Sequence, residues 1–170
     1  MRASWGFLLT AMLDEAAPRA DDSEVLALRE VSKGIYRGGR PSPEGLRSLA
    51  SNGIRTVLNL ENKRLVVRQE KHRAQALGLT FLSLPMRTLF SPRESRIDEI
   101  LNVVADARTY PLFVHCQRGV DRTGVIVALH RIFAEHWSPA AAREEMLCLG
   151  FHPALRALDR YFLKKTGLSA

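Results

Sequence analysis

The sequence predicts a single α/β domain, with a central, mostly parallel sheet of four to five strands flanked by helices. Three observations predict it. Short β-branched or apolar runs at residues 54–60, 79–84 and 112–115 alternate with longer stretches of helical periodicity. Most of those helical stretches open on a capping residue or close on a glycine. The length of 170 residues and a hydrophobic content of 46 % suit one domain with a real core.

Residues 1–23 read as an N-terminal extension and residues 24–170 as the domain. The apolar run 5–13 follows a single Arg2, and Ala16-Ala17 runs straight into Pro18 rather than a cleavage site. A short helix or a disordered start fits this pattern better than the remnant of a secretion signal. Residues 24–31 alternate enough for a strand, and residues 34–37 for a second that ends at Gly38-Gly39. Ser42 before Pro43 sets the N-cap and first turn of a helix. Leu46, Leu49 and Ala50 form its apolar face, and Gly53 closes it. Residues 54–60 make a strand, and residues 59–64 a polar connection.

A basic helix spans residues 66–77, closed by Gly78, and a strand follows at 79–84. After the loop 85–90, Ser91 and Glu94 predict a capping box at N-cap and N3. Ile97, Ile100, Leu101, Val104 and Ala105 then recur at helical spacing. A strand at 112–115 leads into a helix over 122–135. Ser138-Pro139 opens a helix that Gly150 stops, and residues 153–165 form the last one. Strands alternating with helices imply parallel pairing and right-handed crossovers. The segment after the 112–115 strand then lies at the carboxyl edge of the sheet, where such folds bind ligands.

The net charge is +7, unevenly spread. Residues 1–24 carry five acids and two bases, which leaves 23 bases against 13 acids in the rest, a net of +10 there. A basic body suits an anionic partner: a phosphorylated molecule, a membrane surface or a nucleic acid. No apolar run approaches the ~20 residues of a membrane span. The two cysteines, Cys116 and Cys148, are no disulfide framework and fit a reducing compartment, so a cytoplasmic location is expected over a periplasmic or secreted one. Cys148 sits in an apolar helical pattern and reads as core; a Cys116–Cys148 redox pair is the alternative.

The chemistry concentrates at residues 111–127. A buried strand ends at His115, Cys116 opens a tight loop, and Arg122-Thr123-Gly124 leads into a helix. Backbone N–H groups at a helix start lack partners, and the macrodipole adds positive potential there, so the site suits a tetrahedral anion. The same field favours a thiolate, the nucleophilic form of cysteine. Arg122 can grip two phosphate oxygens. Gly119 lets the backbone turn inward, and Thr123 can hydrogen-bond the sulfur. At average residue frequencies the pattern His-Cys-x2-Gly-x2-Arg-[Ser/Thr]-Gly arises on the order of once in 10^8 start positions.

His115-Cys116-Gln117-Arg118-Gly119-Val120-Asp121-Arg122-Thr123-Gly124 resembles the signature loop of the cysteine-based tyrosine and dual-specificity phosphatases. Tyr36-Arg37-Gly38-Gly39-Arg40-Pro41 and the stretch from Gly53 to Leu60 look like the leading segment of small bacterial and atypical members. The resemblance implies phosphomonoester hydrolysis through a cysteinyl-phosphate. Cys116 would attack phosphorus. The backbone of Gln117, Arg118, Gly119, Val120 and onward, with the Arg122 side chain, would hold the equatorial oxygens. Thr123 would ease thiolate departure, and His115 would fix the loop backbone. No cofactor or metal is implied, and His72, His130, His136 and His152 form no ligand pattern.

The chain departs from the family at the proton donor. The stretch 85–93, where an Asp is usual, holds no acid. Asp121, inside the loop, takes that role in the reading, as proposed for the Asp-Arg-Thr loops of myotubularin and Sac-type phosphoinositide phosphatases; Asp98 is the other candidate. Arg87, Arg93 and Arg96, with Lys63 and Arg64, are expected to rim the pocket and to favour a multiply phosphorylated substrate. Inositol polyphosphates and phosphoinositides at a membrane surface fit that rim; phosphotyrosine or phosphoserine proteins stay open, and no nucleic acid is expected. The alternatives are a phosphate-binding module without turnover and a rhodanese-type sulfurtransferase, the latter disfavoured by the His-Cys and Arg-Thr-Gly flanks.

Overall fold

A computed structural model describes Val25 and residues 27–169, and the expectations for residues 1–23 lie outside the described residues. In chain order the elements are β1 (Arg29–Ser32), β2 (Ile35–Gly38), α1 (Pro43–Ser51), β3 (Thr56–Asn59), α2 (Arg64–Ala76), β4 (Thr80–Ser83), α3 (Glu94–Ala105), β5 (Leu112–His115), α4 (Asp121–Phe133), α5 (Pro139–Cys148) and α6 (Arg156–Thr166). The five strands form one sheet in the order β1-β2-β5-β3-β4. β1 runs antiparallel to β2, and the other pairings are parallel.

Strand period decides the two cores. Side chains on a strand alternate between faces. Ile35, Leu58, Leu112 and Val114 pack with the apolar residues of α3, α4, α5 and α6. Tyr36, Val57 and Phe113 turn the other way, onto Leu46, Leu49 and Ala74 of α1 and α2. With helices on both faces, β5 is buried along its whole length. α4 is buried from Asp121 through His130, so the end of β5 and the start of α4 meet deep in the domain. The loop between them is thereby held on two rigid elements.

Local signals set most boundaries. Ser42 caps α1 by accepting from the Gly45 N–H at 2.9 Å, and Ser138 caps α5 from Ala141 at 3.2 Å. Two expectations are corrected. The Ser91–Glu94 capping box does not form: α3 begins at Glu94, after Arg93, without a side-chain cap. The Glu94 carboxylate instead accepts from the Tyr161 hydroxyl at 2.8 Å and pairs with Lys165, a tie to α6 that outweighs the local motif. Cys148 is exposed and free, not core. Ala142 and Met146 take the inward face of α5, and two residues past Met146 is about 200° around the helix.

Candidate active site

The loop from Cys116 to Val120 is shaped from behind. The Cys116 carbonyl faces His115 Nδ1 at 3.2 Å, and the Gln117 carbonyl accepts from the Arg40 backbone N–H at 3.2 Å. Arg37 Nη2 donates to the Gly119 carbonyl at 2.7 Å and reaches the Val120 carbonyl at 3.5 Å. A trans peptide points its N–H opposite its carbonyl. Tying these carbonyls back therefore turns the N–H groups of residues 117, 118, 120 and 121 to the other side. A row of N–H groups at the start of a 13-residue helix is an anion cradle.

Gly119 permits the tight approach. Its φ is +72°, and a Cβ there would lie 2.3 Å from the Gly38 carbonyl carbon and 2.5 Å from the Gly39 nitrogen. Arg37 is buried at 3 % exposure on β2. Burial lowers its guanidinium from the ordinary value, while Glu145 and Cys116 pull it back up; an arginine stays cationic regardless.

Beneath the loop runs a buried polar circuit. Asn59 and His115 end neighbouring strands as register partners. His115 Nε2 lies 2.6 Å from Glu70 Oε1 on α2. Asn59 Nδ2 donates to Glu70 Oε2 at 2.9 Å, and Asn59 Oδ1 accepts from the Glu61 N–H at 2.6 Å. Glu61 in turn takes both Nε and Nη2 of Arg40, at 2.6 and 2.5 Å. Burial alone would raise the Glu61 carboxyl, but the two-pronged Arg40 pair outweighs it and holds the group below its ordinary value. Glu61, Glu70 and His115 place three ligand-type atoms within 4.8 Å of one another, and Arg40 and Asn59 already occupy the carboxylates as donors.

Cys116 is a free thiol, 2 % exposed, at the loop entrance. Arg122, buried at the second position of α4, reaches the Leu60 carbonyl through Nη1 at 3.4 Å. Thr123 Oγ1 is buried with no hydrogen-bond partner among the described residues. Asp121 is buried and turned toward the turn before α6. Its Oδ1 accepts from the His152 backbone N–H at 3.0 Å and faces His152 Nδ1 at 2.8 Å, and its Oδ2 accepts from Arg118 at 3.2 Å. Asp98 lies apart from the loop, beside Lys165 and His130 in another cavity.

Three of the expected rim residues share one place. Arg87, Arg93 and Arg96 line a single cavity of about 360 Å³ together with Met86 and Phe90. Met86 N and Arg122 Nη1 both reach the Leu60 carbonyl, at 3.0 and 3.4 Å, which sets that cavity beside the loop's arginine. Arg64 joins Arg87 and Glu61 in a second cavity of about 260 Å³. Lys63, at the N-cap of α2, lines neither. Sequence reasoning missed Arg37, Arg40, Asn59, Glu61, Glu70 and His152 as parts of the site. Arg37, Arg40 and Asn59 lie in the two stretches, residues 36–41 and 53–60, that resemble the family's leading segment, while Glu61, Glu70 and His152 lie outside both.

A family model described as PTP-NADK, a DSP-PTPase phosphatase fused to NAD+ kinase, matches residues 15–156. The chain is 26 % identical over 122 residues to the probable chloroplastic NAD kinase 2 of Oryza sativa, covering 69 % of this chain and 12 % of that one. It is 30 % identical to the inositol diphosphatase DSP2 of Oryza sativa, covering 69 % of this chain and 64 % of the relative. It is 31 % identical to the dual specificity protein phosphatase TpbA of Pseudomonas aeruginosa, covering 73 % of this chain and 55 % of that protein. The chain thus spans less than two thirds of each of these curated relatives. The crystal structure of TpbA superposes with a TM-score of 0.71 at 24 % identity, over 89 % of this chain and 91 % of that one.

Proposed function

The chain belongs to the cysteine-dependent dual-specificity phosphatases, and on that footing we propose that it hydrolyses phosphomonoesters through a cysteinyl-phosphate on Cys116. The observation that carries this reading is the set of loop carbonyls tied back by His115, Arg40 and Arg37. With those carbonyls held away, the opposing N–H groups and the Arg122 guanidinium are preorganised for the three equatorial oxygens of a phosphoryl group. The Cys116 thiolate attacks phosphorus in line, and the bond to the leaving oxygen breaks. Water then attacks the phosphorus and the thiolate departs. The hydroxyl of Thr123, without a partner among the described residues, is placed to donate to that sulfur in this reading.

Proton delivery to the leaving oxygen is assigned to Asp121 together with His152. Their contact at 2.8 Å supports this, because the loop 85–93 supplies no acid. Asp121 anchors the half-exposed imidazole of His152 through Nδ1, and the other ring nitrogen has no partner among the described residues.

For the substrate we favour an inositol polyphosphate, free or as a phosphoinositide head group at a membrane surface. Arg87, Arg93 and Arg96 around one cavity support it, and so does the likeness to an inositol diphosphatase. A second reading, a phosphotyrosine protein, is favoured by a relative: TpbA has been crystallised in complex with phosphotyrosine. A phosphate-release panel separates them, comparing inositol polyphosphates, phosphoinositide vesicles, phosphopeptides and an aryl phosphate. Release from the inositol polyphosphates roughly tenfold or more faster than from phosphopeptides is expected, a gap of about 1.4 kcal/mol in transition-state binding. The reverse order overturns the substrate reading. Cys116→Ser abolishes turnover while phosphate binding remains; full activity in that variant refutes the nucleophile, and no turnover by the unaltered chain leaves a binding module.

A further inference from the structure

We propose that the edge of the domain around the arginine-lined cavity docks on an anionic membrane surface, with Leu89 and Phe90 set into the boundary between head groups and acyl chains. The proposal rests on the reading of that cavity as a site for a phosphorylated substrate, and it gives the membrane-borne form of that substrate a way to be reached.

The apolar part lies on one loop. Leu89 and Phe90 are neighbours between β4 and α3, and they are 77 % and 61 % exposed. Single apolar side chains on a surface are ordinary, whereas an adjacent pair flanked by arginines makes a patch. Arg87 stands over the Phe90 ring, 5.5 Å from its centroid. Ring and guanidinium thus form one amphipathic unit, with the apolar body and the charge side by side. Leu65, 76 % exposed, follows Arg64, which shares a cavity with Arg87.

The charged part surrounds that loop. Ser91 and Pro92 line both the cavity of Arg87 and Arg93 and a neighbouring one lined by Arg160 and Lys164 of α6. Arg156, Arg160 and Lys164 stand four apart along α6, and all three are exposed. Like charges at that spacing repel one another. The acids close by are already engaged. Glu94 accepts from Tyr161 and pairs with Lys165, Asp159 pairs with Arg143 at 2.8 Å, and Glu99 with Arg96 at 2.6 Å. Arg87, Arg93, Arg160 and Lys164 form no ion pair among the described residues.

The size of the patch selects the occupant. A stable protein partner buries roughly 800 Å² on each side, and an aromatic side chain offers only roughly 150–250 Å². A membrane needs less: a few apolar side chains at the acyl boundary and cations at the level of the lipid phosphates. Both stand here at the mouth of the cavity beside Arg122, so docking turns that mouth toward the head groups.

The test is co-sedimentation of the full chain with vesicles of phosphatidylcholine alone and of phosphatidylcholine mixed with phosphatidylserine. Neither lipid is a phosphomonoester, so turnover plays no part. The chain should bind the mixed vesicles and hold the neutral ones roughly tenfold or more weakly. Binding should fade as salt shortens the screening length from about 10 Å at 0.1 M to about 3 Å at 1 M. Arg160→Gln combined with Lys164→Gln should weaken partitioning roughly 25-fold, each basic side chain being worth about fivefold at such a surface. Leu89→Ser should weaken it roughly tenfold by removing one buried apolar side chain. Both variants should keep the wild-type kcat/KM on a soluble aryl phosphate. No binding to the mixed vesicles, equal binding to the neutral ones, or undiminished binding in either variant overturns the proposal. So does a dimer in solution that Leu89→Ser dissolves, which would put a second copy of the chain on the patch. Failure of the phosphatase reading would show differently, as absent phosphate release from the aryl phosphate with vesicle binding intact.

Discussion

Replacing Gly119 by alanine tests the idea that backbone packing behind the loop, and not the loop sequence alone, makes the phosphate cradle. Two penalties act at this position. The φ of +72° is left-handed, which costs a residue with a Cβ about 1–2 kcal/mol. The new Cβ would also sit 2.3 Å from the Gly38 carbonyl carbon, where ordinary contact begins near 3.4 Å. The atoms in the way are backbone, so nothing flexible can swing aside. Either the loop or the Gly38-Gly39 segment must move by about 1 Å, and overpacking of this kind costs roughly 1–3 kcal/mol more. A total of about 2–5 kcal/mol corresponds to a fall in Tm of roughly 5–15 °C for a domain of this size. The same shift pulls N–H groups off the phosphoryl oxygens, and a misplacement of about 1 Å can lower the rate by about 100-fold. The assay is kcat/KM on an aryl phosphate beside a thermal melt. Gly53→Ala is the control: its φ is +86°, yet nothing lies within 4 Å of the added Cβ. That variant should lose about 1–2 kcal/mol of stability with unchanged kcat. Activity in Gly119→Ala equal to that in Gly53→Ala would refute the steric argument.

Two further expectations rest on carboxylates. Asp121→Asn should lower kcat on an alkyl phosphate by roughly 100-fold, within the range for general acid catalysis, while changing an aryl phosphate less than about threefold; His152→Gln should follow the same pattern, and equal small effects on both substrates would strike the pair from proton delivery. The Arg40–Glu61 pair sets an acid limit. Because the folded Glu61 carboxyl lies below its ordinary 4.5, its contribution is fully present above that pH and fades as pH falls through the lower folded value. Tm measured from about pH 7 to about pH 3 should fall more steeply in the wild type than in Glu61→Gln once the pH drops below 4.5, and parallel curves would show that the pair adds no acid sensitivity.

What the chain reveals without its fold is what short-range chemistry encodes. The alternation of apolar strands with capped helices reads directly, because period and capping depend on residues a few positions apart: Ser42 and Ser138 cap as their sequences suggest. The Cys116–Thr123 stretch is legible for the same reason, its groups lying on one turn between one strand and one helix. Short-range signals failed where a distant partner competed. Glu94 has a suitable neighbour in Ser91, yet Tyr161 and Lys165 claim its carboxylate. Cys148 belongs to an apolar run, yet the turn of α5 leaves it facing outward.

The residues that aim the loop were decided by tertiary structure alone. Arg37 acts on Gly119 across 82 positions, Glu70 on His115 across 45, and His152 on Asp121 across 31. No local pattern connects such positions. They meet because β2 and β3 flank β5 in a parallel sheet, so the carboxyl ends of all three strands open on one edge. The sequence by itself determined which groups, Cys116 to Thr123, are the candidates to bind and attack a phosphate. The order of the strands decided which side chains stand behind those atoms, and so which way the loop's N–H groups face.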